Sequence, residues 1–198
     1  MPADIKINRL TAGGVEEYLG DDTQKAKTLV MDAIRQELGV SHSVHFTDFD
    51  IASLGESRKA FVREQQGMFN AVSYSIIDHT YAPDSIFKDK LKNFDYTLGS
   101  ELSQMAKLTD AQMVLFCSGR NYIWTAGRTA LYIFASAMVG QSANAFVPVG
   151  NEYLLVSLVD MQTGDVIWFN VVFMPGDMRN KEVVQKVVKK MLKDFPQK

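Results

Sequence analysis

The stretch VSLVDMQTGDVIWFN, Val156 to Asn170, constrains the fold more than any other part of the chain. Two runs rich in β-branched and aromatic residues flank a polar pentapeptide, Met161 to Asp165. Such runs suit strands, and a glycine late in the polar segment suits a tight turn with positive φ. The reading is a β-hairpin, with Gly164 at the positive-φ position and Asp160 or Thr163 bonding back to the turn backbone. Alternation along the second strand puts Val166 and Trp168 on one face and Ile167 and Phe169 on the other. A sheet covered by helices buries one of these faces, and Trp168 is expected in the core.

An amphipathic helix follows the hairpin. Val183, Val184, Val187, Val188, Met191, Leu192 and Phe195 fall on one side at about 100° per residue. Lys186, Lys189, Lys190 and Lys193 fall on the other, which reads as a solvated face. Earlier in the chain, DIKINRL alternates as a strand and TAGG breaks it. A helix then runs from about Asp22, with N-cap candidates Asp21, Asp22 and Thr23 and a stop expected at Gly39. SVHFTDF, Ser43 to Phe49, reads as a strand. A helix from about Ser57 has the apolar stripe Ala60, Phe61, Met68, Phe69, Val72 and Ile76. His79 to Gly99 reads as a long loop with room for one short turn of helix, and Ser100 to Leu108 as a short helix. AQMVLFCSG, Ala111 to Gly119, is a nearly continuous apolar run, the pattern of a strand covered on both faces.

The expected fold class is therefore α/β, a single mixed β-sheet packed with helices, forming one domain over residues 1–198. A long apolar and aromatic insertion is expected at about 120–150. The chain has 198 residues, 46% of them apolar, enough for a domain of ordinary size with a real core. Its formal charge of −2 gives no electrostatic footprint for nucleic acid. MPADIKINRL has neither a basic n-region nor an apolar h-region, so the start reads as cytosolic or as the product of leader removal. The longest apolar run, Thr129 to Gly140, is short of the roughly 20 residues that span a bilayer.

Signals for chemistry are few. The histidines, His42, His45 and His79, show no metal-ligand spacing, and the single cysteine, Cys117, lies in an apolar run. Asp78, His79 and Cys117 can be imagined as orienter, base and nucleophile, but any chain this long offers such a trio by chance, and a small core thiol is the plainer reading of Cys117. No cofactor, metal or catalytic residue is expected. NYIWTAGR sets Tyr122 and Trp124 two residues apart, either as interface anchors or as core. Arg128 at the start of a helix raises the alternative of a small anion or glycan at the 120–130 loop. Leu131, Tyr132, Ile133 and Phe134 cover most of a helix circumference, so one packing face cannot bury them all.

DAQMVLFCSG followed by YLLVSLVDMQTGDVIWFN resembles the strand-then-hairpin pattern of bacterial envelope lipoproteins with a curli-secretion-channel-like (CsgG-like) or TolB-amino-terminal-like domain. The positions that carry it are Asp110, Val114, Leu115, Phe116, Leu158, Val159, Asp160, Thr163, Gly164, Val166 and Trp168. LTAGG, FDYTLGSE, AGRTAL and SLVDMQTGDVIWFN also look like blocks found in similar order in uncharacterised proteobacterial proteins, many of them predicted lipoproteins. The resemblance implies a non-enzymatic, periplasmic, membrane-tethered domain, an envelope accessory or assembly factor. Its anchor would be a lipid on a segment absent from this sequence. The expected partner is a second copy or another envelope protein, through Tyr122, Trp124, Arg128, Leu131, Ile133 and Phe134. A cytoplasmic setting and a Cys–His hydrolase are the remaining alternatives.

Overall fold

The computed structural model describes residues 1–41, 46–47, 49–81, 88–91, 93–107, 109, 111–139 and 152–196. Their strands are β1 (Asp4–Leu10), β2 (Glu16–Tyr18), β3 (Met113–Trp124), β4 (Tyr153–Asp160) and β5 (Val166–Phe173). They form one mixed sheet in the order β2-β1-β3-β4-β5. β1 pairs antiparallel with β2 and parallel with β3, with Asp4 opposite Ser118 and Leu10 opposite Trp124. The helices are α1 (Gly20–Ser41), α2 (Glu56–Ile76), α3 (Ser103–Ala106), α4 (Ala126–Val139) and α5 (Lys181–Met191). The chain is thus α/β with a single mixed sheet. β3 is the central strand, and its residues Val114 to Gly119 are all buried, as the unbroken apolar run requires.

Contacts gather into two compact units, each assembled from separate stretches of chain. The first contains Met1–Pro2, Phe46–Phe116 and Val156–Phe169. Its centre is Phe69 of α2, stacked on Phe116 of β3 at 4.4 Å between ring centroids. The buried face of α2 is Val62, Gln65, Phe69, Ser73 and Ile76. This corrects the stripe read from the sequence: Ala60 and Met68 are exposed, and two polar residues stand in the buried row. Spacing alone favoured the apolar neighbours of a face that Gln65 and Ser73 disguise.

The turn Met161–Asp165 joins β4 to β5, and Gly164 has φ +79°. Asp160 Oδ1 accepts from Gln162 N and Thr163 N, and Thr163 Oγ1 accepts from Asp165 N. FDYTLG lies against this turn. Leu98 N donates to Gly164 O at 2.8 Å, Val166 N donates to Tyr96 O at 2.9 Å, and Thr97 bridges Asp165. Two sequence blocks that share the resemblance are therefore one piece of structure. Trp168 is half-buried, not part of the closed core. Val166 and Phe169 are the buried pair on this part of β5, so strict alternation fails. The reason at Phe169 is Tyr81, whose ring lies 5.9 Å away and whose hydroxyl donates to Phe169 O. Tyr81 ends a π-helical turn, Ile77–Tyr81, that continues α2 into the start of the segment read as a loop with a short helical turn.

The second unit contains Ala3–His45, Cys117–Leu155 and Asn170–Lys198. α1 packs on β1 and α5 through Ala26, Val30, Ala33, Ile34 and Leu38. It begins at Gly20, and Thr23 is not its cap. The Thr23 hydroxyl is buried and accepts from Ile7 N of β1 at 3.0 Å. Gly39 does not end the helix, which runs to Ser41. α5 buries Val184, Val188 and Met191 and leaves its lysines exposed. Asn180 caps it by accepting from Glu182 N and Val183 N. At its other end Asn170 Nδ2 donates to Met191 O at 2.8 Å. β2 is a strand the sequence did not announce. Of the expected strand Ser43 to Phe49, Phe46, Thr47 and Phe49 lie outside regular structure and the rest falls outside the described residues.

Candidate functional site

β3 runs on to Trp124, so the aromatic pair belongs to the sheet and not to the insertion. Residues 140–150 of the expected insertion lie outside the described residues. Within the second unit the last turn of β3 meets two other segments: Glu152, just ahead of β4, and Met174 to Arg179, which link β5 to α5. Between them is an open cavity of about 370 Å³. Met174 at φ +50° and Gly176 at φ +83° turn the linking segment back. A side chain at Gly176 is doubly disfavoured, since its Cβ would also stand 3.0 Å from Val183 Cγ1.

Asn121 organises the wall. It is buried, its Nδ2 donates to Glu152 Oε2 at 3.2 Å, and its Oδ1 accepts from Met178 N at 3.2 Å. Glu152 Oε1 accepts from Tyr122 N at 3.1 Å, and Met174 N donates to Glu152 O. One buried amide and one carboxyl thus tie three separate segments together. Burial lifts the Glu152 carboxyl above its usual range, against the lowering effect of these two hydrogen bonds. Opposite, Arg179 grips Asp177 with two parallel bonds of 2.9 and 2.8 Å and reaches Asp22 at 3.4 Å. The guanidinium holds the Asp177 carboxyl below its ordinary value.

Tyr122 and Trp124 both line the cavity. Tyr122 is buried, and its hydroxyl donates to Glu16 Oε1 at 2.9 Å, so it is a wall and not an exposed anchor. Burial and the Glu16 carboxylate raise its phenol pKa. Trp124 is half-buried. The Arg128 guanidinium lies over its ring at 5.5 Å, and Tyr132 meets it edge-on at 5.4 Å. Arg128 Nη1 also donates to Thr11 O. Thr125 caps α4, its Oγ1 accepting from Arg128 N and its carbonyl from Thr129 N. Arg128 and Tyr132, one turn apart, form the inward edge of α4. Leu131, Ile133, Phe134 and Met138 are 48, 63, 65 and 71% exposed. The six surface candidates therefore divide: Tyr122 and Trp124 line the cavity, Arg128 lies over the Trp124 ring, and Leu131, Ile133 and Phe134 are exposed.

Cys117 is buried, and burial pushes its thiol up to about 12. A thiol in that state is neither accessible nor ionised at neutral pH. His79 and Asp78 lie in the π-helical turn, His79 half-buried and Asp78 exposed. Among the described residues no three His, Cys, Asp or Glu side chains gather as a metal-binding set. No described helix is long and apolar enough to cross a membrane.

Glu152, Asn121, Asp177 and Arg179 were not singled out from the sequence. The one available signal was Asn121 as a polar residue set between the apolar run Val114 to Cys117 and the aromatic pair Tyr122 and Trp124. Comparison with protein-family models, curated proteins and solved structures finds no match.

Proposed function

We propose that the chain is a non-enzymatic binding domain that works by protein–protein contact, with α4 as the contact element and a second copy of the chain as the partner. The observation that carries this reading is the outward face of α4. Leu131, Phe134 and Met138 follow one another at three- and four-residue spacing and form an exposed stripe, and Ile133 is exposed on a separate line of the helix. Exposed apolar patches of this kind mark interaction sites on soluble proteins. Arg128 is the one charged residue of α4, and it lies on the inward edge. The outward face can therefore meet its own copy across a two-fold axis without like-charge repulsion. The envelope setting, on the periplasmic side and tethered by a lipid, rests on the resemblance of the strand and turn segments described above. The buried, neutral Cys117 supports a non-enzymatic reading over a thiol hydrolase.

Light scattering of the wild type and of a Leu131→Asp, Phe134→Asp double variant tests the contact. The wild type should show the mass of two copies at high concentration, and the variant that of one copy with its melting curve unchanged. A wild type of single-copy mass at every concentration, or an assembly that survives both aspartates, would overturn it. Unfolding of the variant would show instead that α4 is private core.

A further inference from the structure

The cavity at the end of β3 is lined by none of the exposed residues of α4, and its chemistry points to a ligand. Its lining carries two carboxylates, Glu152 and Asp177, and one guanidinium, Arg179. Arg179 is held by Asp177 and Asp22 together, so its charge is already answered. Glu152 is different. Its hydrogen-bond partners among the described residues are a backbone N–H and an amide, both neutral. A carboxylate accepts about four hydrogen bonds, and two of those places on Glu152 are taken. Burial weakens the hydration of this carboxyl, and the two neutral donors offset that only in part. Beside it stand Trp124 and Ile123, an aromatic and an aliphatic wall. Aromatic faces attract cations and cover short alkyl chains. The Arg128 guanidinium over Trp124 already uses the ring in this way. About 370 Å³ lies at the small end of ligand sites, enough for a head group with a short tail.

We propose that this cavity binds a primary alkylammonium ion. The ammonium N–H groups fill the spare acceptor positions of Glu152, and the alkyl tail lies along Trp124 and Ile123. A small anion, the alternative raised by Arg128 alone, would face the Glu152 carboxylate. At the α4 N-terminus the Thr125 hydroxyl already accepts from Arg128 N.

Three probes with the same four-carbon tail separate the possibilities: n-butylammonium, n-butanol and butyrate. Each is titrated into the full chain and followed by amide and indole NMR shifts, at constant ionic strength. Butylammonium should give saturable shifts at the Trp124 indole and at the Tyr122 and Gly176 amides. Butanol and butyrate should bind at least about tenfold more weakly. Glu152→Gln removes the charge but also sets an amide against one of its two donors, so a second variant, Trp124→Leu, is run beside it. Both should weaken butylammonium at least about fivefold, with the shifts of α1 and α5 unchanged. Equal binding of butanol, stronger binding of butyrate, or no saturable shift with butylammonium would overturn the proposal. Repeating the wild-type titration in the Leu131→Asp, Phe134→Asp background separates a failure here from a failure of the α4 contact.

Discussion

Gly164→Ala should be among the most damaging single-methyl changes in the chain. The residue has φ +79°, where an L side chain costs about 1–2 kcal/mol. A Cβ built there stands 2.1 Å from Gly99 O, 2.7 Å from Gly99 C and 2.8 Å from Gly99 N. All three contacts are backbone, so no rotamer relieves them. The turn must move away from Tyr96 to Gly99, and the bonds Leu98 N to Gly164 O and Val166 N to Tyr96 O then lengthen or break. Each is worth about 1 kcal/mol. Leu98 and Tyr96, both buried, are loosened with them. The combined loss is about 3–4 kcal/mol, a large share of the 5–15 kcal/mol typical of a domain. Gly14→Ala is the control. Its φ is +81° with nothing within 4 Å of the added carbon, so it carries strain alone, about 1–2 kcal/mol. Urea melts of both variants decide the matter. A Gly164→Ala loss no larger than that of Gly14→Ala would refute the close approach of the two segments.

Two further predictions concern titratable groups. The native Cys117 thiol should react with a thiol reagent at pH 8 at least about 100-fold more slowly than the unfolded chain, because it is buried and pushed up to about 12; rapid native labelling would contradict this. Glu152 and Asp177 should titrate on opposite sides of their ordinary values in a carboxyl NMR titration. For Glu152, raised mainly by burial, the stabilising contribution is present below its unfolded value and lost as pH rises through its native value. For Asp177, lowered mainly by its bonds to Arg179, the contribution is present above the unfolded value and lost as pH falls through the native one. Arg179→Ala should move Asp177 back up, and an unmoved Asp177 would show that the pairing does not set its charge.

The elements with a strong local period were legible in the sequence. β1, α1 and α5 carry apolar positions at spacing two or at three and four, and the burial of Val184, Val188 and Met191 follows directly from that spacing, while β4 and β5 were legible from their β-branched and aromatic runs on either side of a turn. Gly164 was legible because a turn of its kind needs a positive φ. What the sequence hid is non-local or polar. β2 is three exposed residues, so no apolar period marks it. The buried row of α2 contains Gln65 and Ser73, which read as surface. Gly39 lies inside α1 because the helix continues past the position where local preference would end it. The cavity is the extreme case. Asn121, Glu152 and Arg179 are far apart in the chain, and each is unremarkable until β3, the start of β4 and the segment before α5 meet. The outward face of α4 was half legible. Four consecutive large apolar residues could not all be buried, but only Tyr132 packing on Trp124 decides which of them turn in.

The contact assigned to α4 is tested most directly by a distance between two copies. Ala137 is exposed on the outer side of α4, and the buried Cys117 leaves an introduced thiol as the one reactive site. Ala137→Cys carrying a nitroxide label should show dipolar coupling between copies at high concentration. Helices packed at about 10 Å between axes hold two such labels well within range of the method. The coupling should vanish when Leu131→Asp and Phe134→Asp are added. A labelled wild-type background with no intermolecular coupling at any concentration would contradict the assignment of α4 as the surface through which two copies meet.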